Sequence, residues 1–163
     1  MITLDFAVES DLWAGLPEAE ALAGAALAVA EKLAGKKLHP EAEVSLVLTD
    51  DATIRALNKN WRKIDKATNV LSFPAADLKK LAQSPLLGDI ILSFETLARE
   101  AAEESKTLDD HYSHLTIHGF LHLLGFDHET VAEAEEMEAL EINILAALNI
   151  ADPYADTEPS TSP

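Results

Sequence analysis

Apolar positions along this chain repeat with two periods, and the switches between them mark its elements. Ile2, Leu4 and Phe6 recur at every second residue, which predicts a strand over residues 2 to 8. Pro17 can open a helix, since its missing N–H is no loss in a first turn, and the Ala- and Leu-rich run after it extends that helix to about residue 34, with Gly35 as a stop. Val44 to Thr49 is apolar on both alternating faces, as in a buried strand. Thr49 or Asp50 then caps a helix whose Ile54, Leu57 and Trp61 repeat at spacings of three and four, the stripe a helix turns towards a core.

Asn69 to Phe73 reads as a short strand ended by Pro74, residues 74 to 85 as a loop or short helix, and Gly88 to Ser93 as another strand. Ser93 is the expected cap of a helix from Phe94 to about Glu104. A break at 105 to 108 leads into a histidine-bearing helix over about 109 to 124, and a last helix covers 129 to 149. Met137, Leu140, Ile144 and Leu148 form the packing stripe of that last helix, with its glutamates placed mainly on other faces. Strands alternating with helices predict an α/β (α+β) architecture, a single mixed sheet of about four strands covered by helices. Residues 1–150 are expected to form a single domain, and 151–163 a disordered acidic and polar tail.

Composition narrows the function classes. The chain has 163 residues and no cysteine, which removes disulfide scaffolds, thiolate metal sites and thiol nucleophiles. No apolar run approaches the roughly 18 residues of a spanning helix, and no basic segment leads into a secretory core, so the default reading is a soluble, cytoplasmic chain without a membrane partner. A net charge of -17 argues against a generic basic nucleic-acid binder. The exception is local: Arg55, Lys59, Arg62, Lys63 and Lys66 crowd into twelve residues and can form a phosphate-binding patch.

The candidate chemistry lies in His118-Gly119-Phe120-Leu121-His122-Leu123-Leu124-Gly125-Phe126-Asp127-His128. Histidines at i and i+4 share one helix face, and a turn at Gly125 can bring His128 back as a third ligand. Three neutral imidazoles leave the fourth tetrahedral position of a Zn²⁺ open, as in catalytic zinc sites, although imidazole also suits Ni²⁺ and other first-row ions. Such an ion acts as a Lewis acid on a phosphoryl oxygen or on water. The spacing H-x-x-x-H-x-x-G-x-x-H is the frame of zinc peptidases that place a glutamate after the first histidine. Here Gly119 holds that position, which disfavours peptidase chemistry. His114, one turn before His118, is a candidate for proton transfer, substrate contact or support of a ligand. His111 is expected to be exposed, His39 to be a surface residue, and Ser72 to bind substrate or serve strand packing.

Leu57-Asn58, Trp61-Arg62, Thr68 to Pro74, Leu87-Gly88-Asp89-Ile90 and the His118 to His128 motif together resemble the YbeY family of bacterial endoribonucleases. The resemblance implies single-strand-specific RNA cleavage in 16S ribosomal RNA 3′-end maturation and ribosome quality control. It implies metal ligation by His118, His122 and His128 and puts the family's arginine near the site on Arg62, whose planar donor fork is suited to hold an RNA phosphate. Single-stranded RNA and small-subunit ribosomal RNA are the implied partners, and a ribosomal protein or ribosome-associated GTPase is the candidate protein partner. Asp127 fits the motif as an orienting or backbone-capping residue. Two alternatives stand beside this reading: a ribosome-associated assembly factor with weak or partner-dependent catalysis, and a metal-dependent hydrolase of another substrate. The identity of the general base is open, because attack by hydroxide and attack by the RNA 2′-hydroxyl both fit these residues.

Overall fold

The computed structural model describes residues 2–154. In chain order the elements are β1 (Thr3–Val8), α1 (Ala19–Ala34), β2 (Glu43–Thr49), α2 (Asp51–Arg62), β3 (Val70–Pro74), β4 (Leu86–Ser93), α3 (Phe94–Glu103), α4 (Leu108–Leu123) and α5 (Val131–Ala147). Short 3-10 segments at Asp11–Gly15 and Leu78–Gln83 complete the described set, the second resolving the 74 to 85 stretch as short helix. Among the described residues no helix is long and apolar enough to cross a membrane.

The strands form a four-stranded mixed sheet in the order β1-β2-β4-β3. β1, β2 and β4 run parallel, and β3 runs antiparallel to β4 at the edge. The parallel pair β1 and β2 is the expected outcome of a return through α1, since parallel neighbours need a long crossover. Alternation along the inner strands separates two apolar layers. Val44, Leu46, Leu48, Ile90 and Leu92 join the main core, while Ile91 and Leu71 meet Ile54 of α2 in a smaller cluster. This two-sided burial accounts for the apolar residues on both faces of β2.

Helix α4 is the central member of the helical layer, packing on β3 and β4 and touching α1, α3 and α5. Gly119 allows the close approach: a Cβ there would lie 2.9 Å from Ile90 Cγ2 and 3.1 Å from Ser72 Oγ. The residue that breaks the peptidase signature is therefore one whose missing side chain lets the histidine helix settle onto the sheet.

Several expectations need correction. Trp61 continues the apolar stripe of α2 in sequence but is 71% exposed, because the stripe outruns the surface that Ile54 packs against. His111 is buried rather than exposed, and its Nε2 lies 2.9 Å from Glu100 Oε1. Ser93 is the N-cap residue of α3 as expected, but its hydroxyl makes no capping bond to the helix; it donates instead to Asp51 Oδ1 at 2.5 Å and ties α3 to α2. Glu141 does not face away from the core but is fully buried within it. The start of the tail is packed, with Pro153 buried and its carbonyl accepting from Lys106 Nζ at 3.2 Å. The remaining expectation for the tail, over 155–163, lies outside the described residues. His39 accepts the Glu41 backbone N–H on Nδ1 at 2.9 Å, a local turn contact.

Candidate metal centre

Local backbone chemistry builds the centre. Thr107 caps α4 by accepting the Asp110 N–H at 3.1 Å, and the helix runs to Leu123. At its end Gly125 takes φ 98°, a conformation that glycine adopts without a Cβ penalty. The Gly125 N–H donates to the His122 carbonyl and the Phe126 N–H to the Leu121 carbonyl, each at 3.1 Å. That pair of bonds is a Schellman motif, which satisfies the last carbonyls while reversing the chain. Asp127 Oδ1 then accepts the His128 N–H at 2.8 Å, the backbone-capping role open to it from sequence. His128 is thereby returned over the face that carries His118 and His122.

The three imidazoles converge, with one potential ligand atom from each lying within 4.8 Å of the others. His118 Nε2 faces His122 Nε2 at 3.1 Å, and the His128 ring stacks on His118 at a centroid distance of 5.8 Å. His118 and His122 are half-buried and His128 is exposed, so the cluster opens to solvent on one side. Burial depresses the pKa of His122, and the neighbouring His118 and His128 charges push the same way. Each cause favours the neutral imidazole that a metal requires. The donor set and its spacing fit a divalent metal ion.

Behind the triad lies a carboxylate that the sequence reading missed. Glu141 of α5 places Oε2 2.8 Å from His118 Nδ1 and Oε1 2.9 Å from His114 Nε2. The Tyr154 hydroxyl also donates to Oε1. Burial opposes ionisation of Glu141, but hydrogen bonds from His114 and His118, with their charge, outweigh it and hold the carboxyl down at about 2. An ionised carboxylate only accepts, so His118 must present Nδ1–H to it, which leaves Nε2 with its lone pair on the side of His122. Met137, Glu141, Ile144 and Leu145 are the buried residues of α5. A glutamate four residues after a core methionine and three before a core isoleucine was the available signal.

His114 sits beside this carboxylate rather than in the wall of the open cavity, and its Nδ1 is buried without a hydrogen-bond partner. The cavity over the triad has a volume of about 790 Å³. His118, His122 and His128 line one part of it, and Trp61 and Arg62 another. Arg62 reaches this place because α2 ends there: Lys63 takes φ 63°, and the buried Asn58 side chain donates to the Lys66 carbonyl at 2.9 Å, folding the chain back. Arg55 of the same basic cluster is instead engaged by Asp65 at 2.7 Å. Ser72, also in the cavity wall, donates to the Gly119 carbonyl at 3.1 Å, which commits its hydrogen to packing.

Comparison with known proteins gives a consistent picture. The family described as Endoribonuclease YbeY matches residues 14–149. A protein named Endoribonuclease YbeY from a Bradyrhizobium species is 53% identical over 161 residues, covering 96% of this chain and 94% of that one. The protein of the same name from Azorhizobium caulinodans is 53% identical over 152 residues, covering 93% and 96%. A solution structure from Thermotoga maritima superposes with a TM-score of 0.58 at 22% identity, covering 90% of this chain and 92% of that one, which shows a shared fold.

Proposed function

The chain belongs to the Endoribonuclease YbeY family, and from that premise we propose that it cleaves single-stranded RNA at the three-histidine centre, in 16S ribosomal RNA 3′-end maturation and ribosome quality control. It is a metal-dependent hydrolase of RNA phosphodiester bonds. The observation that carries the reading is the convergence of His118, His122 and His128 in one open cavity with Arg62. Residues 1–150 act as one catalytic unit in this proposal, working in the cytoplasm with small-subunit ribosomal RNA, and a ribosomal protein or ribosome-associated GTPase as candidate protein partner.

The proposed ion is Zn²⁺, held zincin-fashion by the three histidines, and its contribution is to withdraw charge from a phosphoryl oxygen or from water. Every other contribution belongs to side chains. Arg62 binds the scissile phosphate through its planar donor fork and offsets charge that grows during displacement. The cavity lies open on the His128 side, so a flexible strand can enter. Glu141 keeps His118 in the ligating tautomer. His114 supports that carboxylate, its Nε2 lying 2.9 Å from Oε1.

Peptide hydrolysis is the weaker use of the same centre, because the position of the peptidase glutamate is packed against Ile90 and Ser72. The test is a comparison of zinc-loaded and chelator-stripped protein on single-stranded RNA, duplex RNA and an unstructured peptide. The expected result is cleavage of single-stranded RNA by the loaded protein alone. Arg62→Ala should lower turnover by roughly 100-fold, as loss of one charge-stabilising donor does, with metal content unchanged. Turnover that survives metal removal, or equal turnover by the Arg62→Ala protein, would refute the assignment.

A further inference from the structure

The proposed activity leaves one conspicuous side chain without work. Trp61 occupies the last turn of α2 with 71% of its surface exposed. It stands in the wall of the cavity that holds the three histidines and directly precedes Arg62. Among the described residues its indole engages in no hydrogen bond and no ring contact. Leu57, one turn earlier, is packed against the Ile54 cluster, so the helix had buried surface available and Trp61 lies beyond it. The adjacent turn holds the residue there, through Asn58 and the Lys66 carbonyl and through the left-handed Lys63.

An exposed indole next to a phosphate-binding guanidinium suits one kind of ligand, a group with a flat π-face joined by a short tether to a phosphate. Resting on the RNA reading above, we infer that Trp61 is the platform on which an unpaired nucleobase stacks when Arg62 holds the neighbouring phosphate, and that this contact makes the cavity selective for single strands. The selectivity follows from geometry. A base in a duplex already has both faces covered by its neighbours and would have to leave the stack, whereas a base in a single strand offers a face freely. Every base has such a face, so the contact selects strandedness and tolerates sequence. Phe73, Pro74, Leu78 and Phe126 line the same cavity and supply apolar wall for the flanking sugar and base.

Fluorescence reports this contact apart from catalysis. The chain has only two tryptophans, and the other, Trp13, is buried with its indole N–H on the Thr49 carbonyl at 2.8 Å. Zinc-loaded full-length protein is titrated with a short 2′-O-methyl single strand. Binding is read twice, by anisotropy of a labelled strand and by tryptophan emission with the unlabelled one. The expected result is quenching of the exposed component, retention of most affinity in Trp61→Phe, and binding on the order of 10- to 100-fold weaker in Trp61→Ala. Removing one base from the strand should impose a similar loss on the wild type and no further loss on Trp61→Ala, the mark of a shared contact. Circular dichroism should be unchanged, since the side chain is exposed. Strand binding without quenching, or an abasic penalty that persists in Trp61→Ala, overturns the platform while leaving the nuclease reading in place. No anisotropy change with any strand overturns both.

Discussion

Replacing Glu141 should weaken metal binding without touching a ligand. The carboxylate is fully buried and accepts from His118 Nδ1 at 2.8 Å and His114 Nε2 at 2.9 Å, with Tyr154 donating as well. Glutamine keeps the shape but substitutes an NH₂ for one acceptor, so it can satisfy one imidazole N–H and confronts the other with a second donor. If His118 is the one displaced, its proton moves to Nε2 and the nitrogen facing His122 can no longer ligate. Loss of a carboxylate partner behind a metal-bound histidine typically lowers affinity by about 10- to 100-fold, or roughly 1.4 to 2.7 kcal/mol. Alanine additionally strands buried donors, at about 1 to 3 kcal/mol each. Competition with a chromophoric chelator measures affinity, and thermal unfolding of the stripped protein measures stability. Glu141→Gln should lower affinity within that range with a smaller loss of stability, and Glu141→Ala should lower both. Nitrogen-15 NMR of the stripped protein should show His118 as the Nδ1–H tautomer in the wild type. Wild-type affinity in Glu141→Gln would refute the orienting role.

Gly119→Ala should destabilise the fold by about 1 to 3 kcal/mol, because its Cβ would lie 2.9 Å from Ile90 Cγ2 in a packed layer. Chemical denaturation of the stripped protein checks this, and an unchanged midpoint would show that α4 can move off the sheet. Acid sensitivity should trace in part to Glu100, whose burial opposes ionisation but whose hydrogen bonds from His111 and Asn69 prevail and hold its pKa below 4.5. A depressed folded pKa contributes stability that is complete above 4.5 and is lost as pH falls through the lower folded value. Melting of the stripped wild type should therefore decline with acidification through that window, and Glu100→Gln should flatten the decline; an equal slope in both would remove Glu100 from the account.

Much of the element order was legible because the core imposes a period. β2 is apolar on both faces since helices cover both sides of it, and α4 ends where a glycine permits the reversal. The triad was legible for the same reason, since i, i+4 and a Gly-punctuated return are local geometry. What escaped was decided by contacts between distant segments. Glu141 is one of five glutamates in α5, and its difference from the others is that His114 and His118 of α4 lie opposite it. Trp61 obeyed the helical period, yet period alone does not tell where the buried surface stops. His111 looked like one more polar residue of an acidic chain until Glu100 of α3 closed over it.

Two of the proposed ligands ride on a buried helix, whereas the third follows a turn held by main-chain bonds around Gly125 and by Phe126 at the edge of the core. Peeling back such a turn requires only a local fluctuation, far below the free energy of opening the core. Were an ion held there, loosening of His128 alone would leave His118 and His122 in place on the helix, so the rate of ion loss would be set by the turn and not by the stability of the whole protein.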